Sequence, residues 1–210
     1  MAAIRLTVER FTLVFRERNT TINTMSFFWQ AILVEGGLAI IAILVDLLCR
    51  LGLHYERQCW CNIETLQQIL WGLLPLIAGY FVLLALPVAA LRQIDRIVRE
   101  LFWQHMGHWK LGQLALVAAL AGIGEELLFR GLFQLGLSTF LPVWLAILLT
   151  SVVFGLAHAV TPTYCVLAFV ISLYFGFLFV HTGNLFVPIA IHALYDLFVL
   201  LLIRFTPHKN

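Results

Sequence analysis

Glu125, Glu126 and Arg130 lie in the run Gly124-Glu125-Glu126-Leu127-Leu128-Phe129-Arg130-Gly131, inside an otherwise apolar stretch. Two further runs carry Phe154-Gly155-Leu156-Ala157-His158 and His192-Ala193-Leu194-Tyr195-Asp196. On a helix, Glu126 and Arg130 stand at i and i+4, the favourable order for an ion pair. Glu125 is rotated by about 100° from Glu126, the angle of one helical residue. It can therefore face a different neighbour, free to act as a base while the pair holds the helix. His192 and Asp196 also share one face at i, i+4, so the carboxylate can orient the imidazole and set its tautomer. Phe154, one turn before His158, is placed to pack against it. The chemistry this set suits is activation of a water by Glu125 with help from His158. His192 would then stabilise the oxyanion of a tetrahedral intermediate. The competing reading is a structural charge cluster that locks helices together.

The elements that must position these residues are membrane helices. Of the 210 residues, 62% are hydrophobic and 11% charged, against about 25% charged in a soluble domain. A core cannot absorb that excess of apolar surface, so lipid is the solvent. Candidate spans run near 27–48, 66–90, 111–134, 143–160, 163–181 and 185–203, several reaching the ~20 residues that cross a bilayer. The expected fold is an all-α polytopic membrane protein of about six transmembrane helices. The last four, joined by short turns such as His181-Thr182-Gly183-Asn184, form the motif-bearing bundle. Pro142, Pro162 and Pro188 fall at or near helix starts, where a missing N–H is harmless.

The organisation divides into residues 1–110 and 111–210. The first part holds an N-terminal segment, two transmembrane helices and an interfacial helix; the second is a catalytic core of four helices. The interfacial helix is read from Leu91 to Lys110: Ile94, Ile97, Val98, Leu101 and Phe102 share one face, and Arg92, Asp95, Arg96, Arg99 and Glu100 the other. A straight extension of the third span is the other reading of that segment. Arg5, Arg10, Arg16, Arg18, Arg92, Arg96, Arg99, Lys110, Arg204 and Lys209 fall on one side of the membrane, and only Arg50 and Arg57 on the other. That bias predicts cytoplasmic termini. No small-residue cleavage pattern precedes the first apolar run, so the first helix is expected to serve as the insertion signal.

Nucleic-acid binding is excluded by a net charge of only +2 without a basic cluster. Cys49, Cys59, Cys61 and Cys165 form no C-x-x-C pair and read as ordinary thiols. Asp46 is expected to pair with Arg50 at i+4. Glu35 lies deeper and is followed by Gly36-Gly37, which would permit close helix approach and a hydrogen bond within the bundle. Trp60, Trp71, Trp103, Trp109 and Trp144 read as interfacial anchors. Gly131, Gly155 and Gly176 would allow tight packing around the polar set.

The three polar runs resemble the E-E-x-x-x-R, F-x-x-x-H and H-x-x-x-N/D motifs of the CPBP intramembrane proteases. These comprise the CAAX prenyl-protein endoproteases and bacterial relatives linked to bacteriocin processing and immunity. The resemblance covers residues 111–203 and rests on the order of the motifs on successive apolar helices. It implies a hydrolase, an endopeptidase cutting a membrane-associated protein or peptide, with Glu125 as the base, His158 its partner, and His192 with Asp196 at the oxyanion position. Glu126, Arg130 and Phe154 would support them. Many members carry Asn where Asp196 stands; an ionised Asp cannot donate a hydrogen bond, so Asp196 is either protonated or limited to orienting His192. The family has been described both as metalloproteases and as glutamate proteases. Zinc could be bound through Glu125, His158 and His192, yet there is no H-E-x-x-H signature, and the expectation is catalysis with no cofactor. The expected location is a bacterial inner (plasma) membrane, with the bilayer and the substrate as the partners. Two alternatives remain: a non-enzymatic immunity or scaffold protein that keeps the protease fold, and an ion or metal transporter, for which the paired repeats are missing. Straight spans along the membrane normal would leave Glu125 and His158 at different depths.

Overall fold

The computed structural model describes residues 24–49 and 62–206. Helix α1 is Thr24–Cys49, α2 Ile63–Ala85, α3 Ala89–His105 and α4 Leu111–Glu126. A π-helical segment, Leu127–Gln134, continues α4 directly into the short α5, Leu135–Ser138. Helices α6 (Val143–Ala157), α7 (Pro162–Thr182) and α8 (Phe186–Phe205) follow. The polar loop with Arg50, His54, Glu56 and Arg57, the Cys59 and Cys61 thiols, Trp60, and the basic residues before α1 lie outside the described residues, as does the Arg50 partner expected for Asp46.

The molecule is an all-α polytopic membrane protein. Among the described residues, five stretches are long and apolar enough to span a bilayer: Phe27–Leu48, Ile63–Ala85, Leu111–Ser138, Pro162–Thr182 and Phe186–Phe205. The fourth expected span differs. Helix α6 stops at Ala157, and its 15 residues are about 22 Å long, short of a ~30 Å hydrocarbon core. Pro142 caps its start and Pro162 opens α7 with the Thr161 hydroxyl accepting from the Tyr164 N–H. Pro87 similarly separates α2 from α3.

Helix α3 is a separate element, set off from α4 by Met106 to Lys110, not an extension of the third span. Its Phe102 is buried with Phe28, Trp109, Leu114 and Ile203, while Arg92, Arg96 and Glu100 are exposed. Trp109 is thus a core residue, 2% exposed, and not the surface anchor its position suggested. Its backbone carbonyl accepts from the Arg204 guanidinium, which ties the α3–α4 turn to the end of α8. Trp71, Trp103 and Trp144 are exposed.

Lipid offers helices no hydrophobic reason to associate, so close packing at small residues must hold them. A Cβ on Gly122 would stand 2.7 Å from the Ile189 carbonyl oxygen of α8. One on Gly124 would collide with the Glu35 carbonyl oxygen of α1. At Gly155 it would meet the Cys165 oxygen at 2.9 Å, and at Gly176 the Gln134 side chain at 2.9 Å. By contrast, nothing lies within 4 Å of a Cβ on Gly36 or Gly37. The close approach of α1 is made against a glycine of α4, not by its own glycine pair.

Candidate active site

The depth mismatch expected between Glu125 and His158 is absent because α6 is short. Glu125 lies 13 residues before Ser138 at the end of α5, about 20 Å along the helix. Helix α6 returns about 22 Å before it ends, so His158 at its C-terminal cap reaches the level of Glu125. Irregular backbone at membrane depth is tolerated where it is buried in protein or lines a cavity, and His158 to Thr161 provide such a link.

The charged set then assembles from α4, the π segment, α6 and α8. Arg130 Nη1 donates to Glu126 Oε1 at 3.1 Å, and both side chains are fully buried. Arg130 Nη2 donates to the Ser172 carbonyl at 2.9 Å and to its hydroxyl at 2.8 Å. One turn on, Gln134 Nε2 donates to the Gly176 carbonyl at 3.1 Å. Carbonyls within a helix keep a second lone pair, so the π segment is clipped to α7 twice without breaking it. π turns occur often at functional sites, and here the segment begins immediately after Glu126.

The tautomers follow from the partners. His158 Nδ1 lies 2.9 Å from the Phe154 carbonyl oxygen, which can only accept, so Nδ1 carries the proton. His192 Nδ1 lies 2.8 Å from Glu126 Oε1. Glu126 Oε1 is an acceptor for Arg130 Nη1, and His192 Nδ1 is read as a second donor to it. Both imidazoles therefore turn Nε2 towards Glu125: His158 at 3.6 Å from Oε1 and His192 at 3.9 Å from Oε2. These separations exceed a direct hydrogen bond, and a bridging water suits them.

Aromatic faces hold the rings. Phe154 stacks on His158 with centroids 4.2 Å apart, and Phe175 on His192 at 5.2 Å. The Arg130 guanidinium lies 5.3 Å from the Phe154 centroid and 5.4 Å from that of Phe175, a cation–π position on each. Ser172 and Phe175 are parts of the site that the motif spacing did not reveal.

Asp196 departs from its expected place as the orienter of His192. Glu126 holds Nδ1, whereas Asp196 Oδ2 faces Nε2 at 3.6 Å, on the same nitrogen as Glu125. With its side chain 36% exposed, Asp196 is the most open member of the set. Among the described residues no group of three or more His, Cys, Asp or Glu side chains is arranged to hold a metal ion. Were a zinc ion bound there, Glu125, His158 and His192 would be the side chains to hold it.

A groove of about 90 Å³ runs between α3 (Ile94, Ile97, Val98, Leu101) and Val160, Thr161 and Tyr164.

Residues 107–198 match the family model of the type II CAAX prenyl endopeptidases, Rce1-like. Over this segment, less than half of the chain, the protein is similar to the CPBP/CAAX proteases. The match contains Glu125, Glu126, Arg130, Phe154, His158, His192 and Asp196, and leaves α1, α2 and α3 outside. No curated protein and no solved structure matches the chain.

Proposed function

We propose that the chain is an intramembrane endopeptidase that hydrolyses a peptide bond of a membrane-associated protein or peptide with a water activated by Glu125. The observation that carries this reading is the convergence of two Nε2 atoms, each fixed by a partner at Nδ1, on one carboxylate. Glu125 Oε1 and His158 Nε2, 3.6 Å apart, are two acceptors that one water can serve as donor. Its oxygen lone pair is then left for the scissile carbonyl. As the oxygen attacks, Glu125 takes the proton and the carbonyl becomes an oxyanion. His192, already donating from Nδ1, stabilises it when Nε2 is also protonated; the Glu126 and Asp196 carboxylates beside it support that imidazolium. Glu125 passes its proton to the leaving amine, and the intermediate collapses to acid and amine.

Asp196 stands where it can meet substrate, and residues 111–210 form the catalytic core. The groove beside α3, lined mostly by apolar side chains, suits an apolar segment of the substrate. The cytoplasmic face of a bacterial plasma membrane is the location that fits the charge bias. No metal takes part in these steps. In a reporter-cleavage assay run with a zinc chelator throughout, the wild type should keep its rate. Glu125→Gln should lose about 10²–10⁴-fold with membrane insertion unchanged. Full cleavage by Glu125→Gln would overturn the mechanism, and loss of wild-type cleavage with chelator would overturn the metal-free form.

A further inference from the structure

Helix α2, outside the matched segment, meets the rest of the protein along one narrow seam. Its buried residues are Thr65, Ile69 and Gly72, at i, i+4 and i+7, a single stripe of a helix. All three contact α7, α8 or the turn between them. The Asn184 side chain of that turn donates to the Thr65 hydroxyl at 3.2 Å. Ile69 is buried in one cluster with Phe175 of α7 and with Val187 and Ile191 of α8.

Gly72 makes the contacts nearest the reactive groups. Its carbonyl accepts from the Tyr174 hydroxyl at 2.7 Å, and Tyr174 precedes Phe175, the ring stacked on His192. Its bare Cα faces Ile191, the residue before His192. A Cβ there would stand 2.5 Å from Ile191 Cδ1. Ile191 is fully buried in the cluster with Ile69, Phe175 and Val187, so Cδ1 cannot swing aside without pushing on a packed neighbour. Nor can α8 retreat as a whole. On its other face, about 200° round the helix, the Ile189 carbonyl and Ala193 already rest on the bare Gly122 of α4. Helix α8 is therefore held between two glycines at the level of His192.

We propose that Gly72 is a positioning residue of the active site: by seating Ile191 on its bare Cα and Tyr174 on its carbonyl, it fixes where α8 presents His192 to Glu125. It acts through those neighbours and touches no reacting atom. Its effect on rate rests on the endopeptidase reading; its effect on the place of the ring does not.

Full-length protein in detergent gives two readouts, reporter kinetics and a structure of each variant. In Gly72→Ala, kcat should fall about tenfold or more, because a displacement of about 1 Å at a catalytic group costs up to about 10²-fold. KM should stay near wild type, since α2 supplies none of the residues that line the groove. The separation of His192 Nε2 from Glu125 Oε2, 3.9 Å in the wild type, should change by about 0.5 Å or more. Ile191→Val removes the Cδ1 that the new Cβ meets. The next atoms, Leu178 Cδ1 at 3.5 Å and Ile191 Cγ1 at 3.7 Å, stand at ordinary contact distance. The double variant Gly72→Ala/Ile191→Val should therefore recover both kcat and the separation. Tyr174→Phe, which deletes one hydroxyl, should show a smaller loss of the same kind, and it carries both readouts if Gly72→Ala does not fold.

An unmoved separation or a wild-type kcat in Gly72→Ala overturns the proposal, even if the variant is less stable. A loss that Ile191→Val does not recover overturns it too, since the effect then does not run through that contact. Should wild-type protein cleave no peptide, the endopeptidase reading falls, and the measured separations alone decide the role of Gly72.

Discussion

The two sides of the polar set are built to different tolerances. On one side Glu126, Arg130 and His192 are joined by contacts of 2.8 and 3.1 Å, with both charged side chains of the ion pair fully buried. On the other, Glu125 lies 3.6 Å from His158 and 3.9 Å from His192, Asp196 lies 3.6 Å from His192, and the His158 and Asp196 side chains are 27% and 36% exposed. Charges in a membrane must be satisfied or given water. The first side takes the former solution and is rigid. The second takes the latter and is held more loosely. Adjacent glutamates thus belong to opposite regimes because one residue of helix separates them by about 100°.

The sharpest way to break this comparison is to exchange the roles of those glutamates. Glu126→Gln strands a buried guanidinium and should cost about 3–5 kcal/mol of stability, read as a large fall in the thermal midpoint in detergent. Glu125→Gln should leave that midpoint nearly unchanged while removing activity. The opposite pairing of outcomes would mean the tight side is not the scaffold.

A smaller effect is expected where the sides meet. Phe154 stacks on His158 and lies beneath Arg130, so Phe154→Leu disturbs both. Lost stacking of about 0.5–1.5 kcal/mol predicts a drop in kcat of up to roughly tenfold, with KM little changed. Wild-type kinetics would show that the ring is only filler.

The smallest effect sharpens the comparison through a control outside the spans. His105 at the end of α3 is buried and stacks on Phe27 at 4.5 Å. Burial pushes its pKa below the ordinary 6.5. A lowered folded-state pKa means the unfolded chain takes the proton first. The stability His105 contributes is therefore complete above about pH 6.5 and is lost as pH falls through the folded value. His105→Gln should flatten part of the acid-side decline in thermal midpoint below that pH. An unaltered slope would show that this imidazole does not titrate against folding.

Much of the site was legible before folding was considered, because charge in an apolar helix is costly enough to be a signal by itself. The i, i+4 pairing of Glu126 with Arg130 and the separate facing of Glu125 follow from helical geometry alone. Ser172 and Phe175 gave no such signal, since a serine and a phenylalanine are ordinary residues of an apolar helix. Asp196 was misplaced for a related reason: i, i+4 spacing puts it beside His192 but does not say which ring nitrogen it meets. The ring's orientation is decided by Glu126, 66 residues away in the chain.

Composition and periodicity determined the class, the apolar helices and the residues that cannot be lipid-facing, since these depend on local pattern and transfer energy. Depth and convergence were decided only in three dimensions. The early end of α6 lifts His158 to Glu125, and the bare Gly124 surface lets Glu35 approach from α1. Both depend on where one helix stops against another, a property of packing that spacing along a single segment does not contain.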